Sequence, residues 1–131
     1  MISIAKNAFY QISLDKKKNR IYMKMCGTWD SNEQVPQYLH HVKAAIRELD
    51  SGFSVVTDIR ELDDYSIDLH DVQIRAQRLL MEGGIYQLAE IHNGNDPMTD
   101  LAIALAYKSK ISLNIFERKA DAEAWLDESL E

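Results

Sequence analysis

Several residue types are scarce in this sequence, and each scarcity excludes something. Cys26 is the one cysteine among 131 residues, so no intramolecular disulfide can form and a reducing compartment fits. Lys and Arg number 15 against 21 Asp and Glu, a formal net charge of −6. That balance argues against a nucleic-acid partner, whose recognition needs clustered cations to displace counterions. The single basic run, Lys16-Lys17-Lys18 with Arg20, is short and turn-like. It suits at most a touch on an anionic surface, at about 1 kcal/mol per side chain. Long apolar runs are also missing: the longest, Leu101 to Tyr107, is far below the ~20 residues a membrane span needs. The start, Met1-Ile2-Ser3-Ile4-Ala5-Lys6-Asn7, has no sustained apolar stretch of the secretory kind. The expectation is a soluble, cytoplasmic protein with one domain over 1–131, long enough to bury roughly two-thirds of its unfolded surface.

Periodicity organises what remains. Phe9 to Leu14 and Ile21 to Cys26 read as strands around a polar turn, with Ile21, Met23 and Met25 on one face. Gly27-Thr28-Trp29-Asp30 reads as a break. Ser31 and Gln34 match a capping box, and Pro36 moves the expected helix start toward itself. Val35, Tyr38, Leu39, Val42, Ala45, Ile46 and Leu49 form that helix's apolar stripe. Phe53 to Ile59 suits a buried central strand. A second helix is expected from about Leu69 to Glu82, stopped by Gly83-Gly84, and a fourth strand over Ile85 to Ile91. Asp96-Pro97 is a sharp helix start, with Asp accepting from free amides and Pro at the first helical position. Its helix runs to about Lys108. Ile111, Leu113 and Ile115 then alternate with polar residues up to Phe116, and Ala122, Trp125 and Leu126 follow at helical spacing.

The order is β-β-α-β-α-β-α-β-α, which demands crossovers and hence an α/β fold. The sheet should be mixed but mostly parallel, with about five strands and about four helices. The ending, a strand closing on Phe116 and a helix closing on Ala124-Trp125-Leu126, resembles that of small STAS-like proteins. These are relatives of the sporulation anti-sigma-factor antagonist, akin to the CRAL-TRIO lipid-transfer fold. Gly27-Thr28-Trp29-Asp30 also resembles the family's glycine turn before its first helix. The resemblance implies a STAS-like fold and a regulatory or binding role, with membrane association and apolar ligands suspected in the family.

Chemistry-bearing residues concentrate after the third strand: Asp58, Arg60, Glu61, Asp63, Asp64, Ser66, Asp68 and Asp71. Strand C-terminal edges are where ligands sit in open α/β sheets. By the resemblance, Ser66 in Asp64-Tyr65-Ser66-Ile67 is the candidate phosphoacceptor, although Tyr65 intervenes and Ile67 replaces the family's glycine. A receiver-like cation site at Asp58 would lack the acidic pair it needs after the first strand. The plain alternative is a solvated loop whose acids favour a helix N-terminus. His40 and His41 are adjacent and point apart on a helix, as surface residues. His92 is an enzyme candidate only if a cleft brings it to the Asp58–Asp71 cluster. Cys26 reads as a small hydrophobe rather than a nucleophile. No cofactor or metal is expected.

The helices carry a further clue. Beyond the core face of Leu69, Val72, Ala76, Leu79 and Leu80, the second helix has Ile74 and Met81. Opposite the stripe of Met98, Leu101 and Leu105, the third has Ile103 and Tyr107. A second apolar stripe exceeds what one sheet contact needs. The expectation is therefore a non-enzymatic binding or regulatory protein working through Ile74, Met81, Ile103 and Tyr107. Its candidate partners are an apolar small molecule or lipid, a regulatory protein, the membrane surface and a second copy forming a homodimer.

Overall fold

Turn chemistry builds the first half of the protein, seen in a computed structural model that describes residues 1–130. Strands β1 (Ile2–Lys6), β2 (Tyr10–Asp15) and β3 (Arg20–Trp29) form an antiparallel meander. At its second turn Asn19 takes a left-handed φ of 52°, which asparagine tolerates, and Asp15 Oδ1 accepts from the Lys18 amide. From β3 onward the chain alternates: α1 (Tyr38–Arg47), β4 (Ser54–Tyr65), α2 (His70–Glu82), β5 (Gln87–Ile91), α3 (Pro97–Ser109), β6 (Leu113–Phe116) and α4 (Lys119–Asp127). β3 to β6 are parallel neighbours, so the six strands lie in simple sequence order. The sequence anticipates about five strands; the sixth, β1, is a short edge strand with only Ile2 and Ile4 to signal it.

Register sorts the two faces. Ile2, Leu14, Ile21, Val55, Leu88 and Leu113 align across all six strands. Of these, Leu14, Ile21, Val55 and Leu88 are buried in the main core, which α1, α2 and α3 cover. The next row turns Tyr22, Val56 and Ala89 to the other face. There Val56, Ala89 and Ile91 meet Ala122 and Leu126 of α4 in a small second core.

Two expectations need correction. Gly27-Thr28-Trp29 does not break the strand: β3 runs on to Trp29, with Gly27 at φ 74° inside it. Nor does β4 stop near Ile59; it continues to Tyr65, paired with β3 alone after Asp58. Register slips twice along this extension, between Lys24 and Cys26 and between Gly27 and Thr28, and each slip gives β4 one extra residue. The inward side chains therefore fall three apart, at Ile59, Leu62 and Tyr65. A strand with period three lacks the alternation that identifies strands in sequence, and its exposed acids read as a loop.

Helix ends follow local chemistry. Asp96 caps α3, its Oδ1 accepting from the Met98 amide at 2.9 Å, with Pro97 at the first position. Half of the anticipated capping box forms: Gln34 Oε1 accepts from the Asp30 and Ser31 amides. The helix proper starts later, at Tyr38.

Candidate functional site

The bulged half of β4 floors a cavity. Ile59, Leu62 and Tyr65 line it beside Met25 of β3, and α3 roofs it with Met98, Leu101, Ala102 and Leu105. Gln73 and Gln77 of α2 and Glu90 of β5 supply polar atoms. Water-sized molecules can place their centres over about 40 Å³, more than the ~10–15 Å³ one water needs. Met98, Leu101 and Ala102 are only half-buried, so the rim lies on α3.

The polar groups are unusually placed. Tyr65 is 5% exposed, and its hydroxyl has no hydrogen-bond partner among the described residues. Burial holds that hydroxyl well above the ordinary tyrosine range, so it stays protonated. Gln73 Oε1 accepts from Tyr38 Oη at 3.2 Å, and Gln77 Oε1 accepts from Ser109 Oγ at 2.6 Å. Each carbonyl oxygen retains a second lone pair, and the amide NH₂ groups remain as donors.

Glu90, 4% exposed, continues into a buried chain. Its Oε1 lies 2.9 Å from His92 Nε2, and His92 Nδ1 lies 2.9 Å from Thr99 Oγ1. The chain ties β5 to the first turn of α3 and holds that helix over the cavity.

Around the cavity's floor stands an aromatic group of Tyr10, Trp29, Tyr38 and Tyr65, with ring centroids 5.1 to 5.8 Å apart. Trp29 Nε1 donates to the Phe9 and Cys26 carbonyls. His41 joins this group rather than the surface: its Nδ1 lies 2.7 Å from Tyr10 Oη. His40 is exposed as anticipated.

The acidic cluster does not converge. Asp58 grips the Arg60 guanidinium at 3.0 and 2.8 Å. Burial pushes the Asp58 carboxyl up, but these bonds and the Arg60 amide hold it below its ordinary value. Asp63 and Asp64 are exposed on the strand. Among the described residues no three His, Cys, Asp or Glu side chains are placed to share a metal. His92 is turned inward to Glu90; the link to the cluster is Asn93 Nδ2 donating to the Arg60 carbonyl at 2.8 Å. Cys26 is half-buried rather than buried, and burial raises its thiol despite Lys24. It is not an activated nucleophile.

Ser66 precedes the 3₁₀ turn Ile67–Leu69 and caps it, Oγ accepting from the Asp68 amide at 3.3 Å. Of the four residues on the outer helix faces, Tyr107 is 86% and Ile103 50% exposed. Ile74 is half-buried, and Met81 packs against the main core. The cavity's polar residues escaped the sequence reading, though signals existed. Glu90 is an acid inside the apolar run Leu88–Ile91, and Gln73 and Gln77 flank the core face of α2.

No protein-family model matches the chain, and no curated protein is similar to it. Among solved structures it is similar to an uncharacterized protein of the DUF3478 family from Shewanella loihica PV-4, whose crystal structure at 2.25 Å has a SpoIIAA-like fold. The TM-score is 0.67 at 20% identity, over 93% of this chain and 98% of that one. At that identity the likeness speaks for architecture alone: this chain has the SpoIIAA-like, STAS-like α/β fold, with six strands in a mixed, mostly parallel sheet and four helices.

Proposed function

We propose that this is a non-enzymatic binding protein that holds a small, largely apolar ligand between α3 and the sheet. The observation that carries the reading is the cavity under α3, walled by Met25, Ile59, Leu62, Met98, Leu101 and Leu105. Close-packed interiors leave few voids larger than a water molecule, so one beneath a half-buried rim is a binding-site candidate. The outer side of α3 supports the same reading. Ile103 and Tyr107 lie four residues apart on it, exposed to solvent, so one helix is apolar both toward the cavity and away from it. Such a helix suits exchange of an apolar ligand with a membrane surface, where a Tyr ring sits well.

Native followed by denaturing mass spectrometry tests the proposal. The expected result is an excess mass that vanishes on denaturation, its bearer identified by extraction. A bare polypeptide mass, together with no rise in melting temperature on adding an apolar extract of the host cells, overturns it.

A phosphoswitch at Ser66 is the weaker alternative. Asp64, Asp68 and Asp71 lie close in sequence, and the nearest cation in sequence, Arg60, is already bound to Asp58. A phosphate there meets repulsion rather than a waiting guanidinium. Intact mass of protein isolated from its host, with fragment mapping, decides this alternative.

A further inference from the structure

A second concavity lies between α1 and α2 and shares no lining residue with the cavity under α3. Leu39 and Lys43 of α1 line it with Arg75, Arg78, Leu79 and Glu82 of α2. It gives the centres of water-sized molecules about 330 Å³, against about 40 Å³ under α3. Leu39 and Leu79 are half-buried and make an apolar floor, while the charged residues on the walls are exposed.

The charge of this groove runs against that of the chain. The protein carries a formal net charge of −6, yet three cations meet here beside one acid. α1 contains no Asp or Glu, so nothing on its own helix neutralises Lys43. Residues three apart are neighbours on a helix, so Arg75 and Arg78 stand together on α2. Arg75 is loosely held, its Nε 3.9 Å from Asp71 Oδ2, beyond hydrogen-bond range. Among the described residues Lys43 and Arg78 make no ion pair, and Glu82 pairs with neither. Gathered cations repel one another, and an anion between them relieves that repulsion.

The cations narrow the class of anion. A guanidinium offers paired N–H donors that match phosphate oxygens two at a time, and an ammonium adds a point charge. Two Arg and a Lys on facing walls suit a tetrahedral dianion better than a planar carboxylate of single charge. The apolar floor suits a carbon substituent on the phosphate. An anionic membrane is the poorer fit, because it meets the net charge of the whole protein, whereas a small ion meets the local field.

We infer that the groove between α1 and α2 binds a small organic phosphate. Lys43, Arg75 and Arg78 hold its phosphate, and Leu39 and Leu79 receive its carbon part. The site is separate from the one proposed under α3, and neither needs the other.

The experiment is NMR of the backbone amides and arginine Nε–H groups, titrated with phenyl phosphate, inorganic phosphate and benzoate at constant ionic strength. Saturable shifts confined to α1, α2 and the Nε–H groups of Arg75 and Arg78 are expected, tighter with phenyl phosphate than with either other probe. Lys43→Gln and Arg78→Gln should each weaken phenyl phosphate about two- to five-fold, the size of one exposed ion pair. Glu82→Gln should tighten it, since the one acid on the walls is gone. All three side chains are exposed, so melting temperatures should stay near that of the parent and verify the fold. Shifts that never saturate, benzoate bound as tightly as phenyl phosphate, or indifference to all three replacements overturn the site. Co-sedimentation with phosphatidylcholine vesicles containing phosphatidic acid, lost in Arg78→Gln, without any binding of phenyl phosphate, overturns the small ligand in favour of a lipid head group.

Discussion

The two faces of the sheet are held in different ways. On one, α1, α2 and α3 close over a continuous core that reaches from Tyr10 to Ile111. On the other, α4 alone covers a cluster of five buried residues: Val56, Ala89, Ile91, Ala122 and Leu126. The second face makes up the difference with charge. Arg20, fully buried at the start of β3, donates from Nε to Ser54 Oγ and from one terminal nitrogen to Glu123 and Asp127 of α4. Lys18 reaches the same two acids at 3.4 and 3.0 Å. Apolar area holds the first face and tolerates a void; directional pairs hold the second and tolerate little loss. The candidate site lies on the face that has packing to spare.

The largest effect should follow from attacking the apolar face. Trp29→Ala removes a fully buried ring with two hydrogen bonds and three aromatic neighbours. A loss of about 3–5 kcal/mol is expected from chemical denaturation. An unchanged denaturation midpoint would show that the aromatic group carries no stability.

Arg20→Ala strips Glu123 and Asp127 of their buried partner and should lose about 2–3 kcal/mol. That is below the full cost of breaking a buried pair, because both acids are partly exposed. Hydrogen exchange should show α4 opening before α1 to α3. Uniform loss of protection across the molecule would erase the contrast between the faces.

Acid should erode the same contrast. Hydrogen bonds from Lys18 and then Arg20 hold the Asp127 carboxyl below its ordinary value, 3.8. A lowered folded value means stability is fully present above about the unfolded value and is lost as pH falls through the folded one. Urea midpoints should therefore fall below pH 4, with less fall in Asp127→Asn, which cannot titrate. Parallel pH profiles for the two proteins would remove Asp127 from the account.

The smallest effect concerns Ser66. Ser66→Ala deletes a single long cap bond on a 3₁₀ turn and should lose about 0.5 kcal/mol. A loss several times larger in thermal melts would mean that Ser66 supports more than this turn.

Asp96-Pro97 announced its helix because cap chemistry acts over three residues, and so did the stripe that buries Val35, Tyr38, Val42 and Ala45. The site was far less legible. Its floor sits on a strand whose two bulges replace alternation with a period of three. Its polar atoms come from β4, α2 and β5, which no local pattern joins. The outer-stripe residues divided for a similar reason. Helical periodicity shows that Met81 and Tyr107 leave the main stripe, but neighbouring elements decide that Met81 packs and Tyr107 does not.

By itself, then, the sequence determined the alternation of strands and helices that follows the opening strands, the start of α3 and the α/β class, because caps, turns and periodicity are short-range physics. Tertiary structure alone decided that Tyr65 would lack a partner, that Glu90 would face a cavity and that His92 would turn inward, since burial and hydrogen-bond satisfaction depend on residues far apart in the chain.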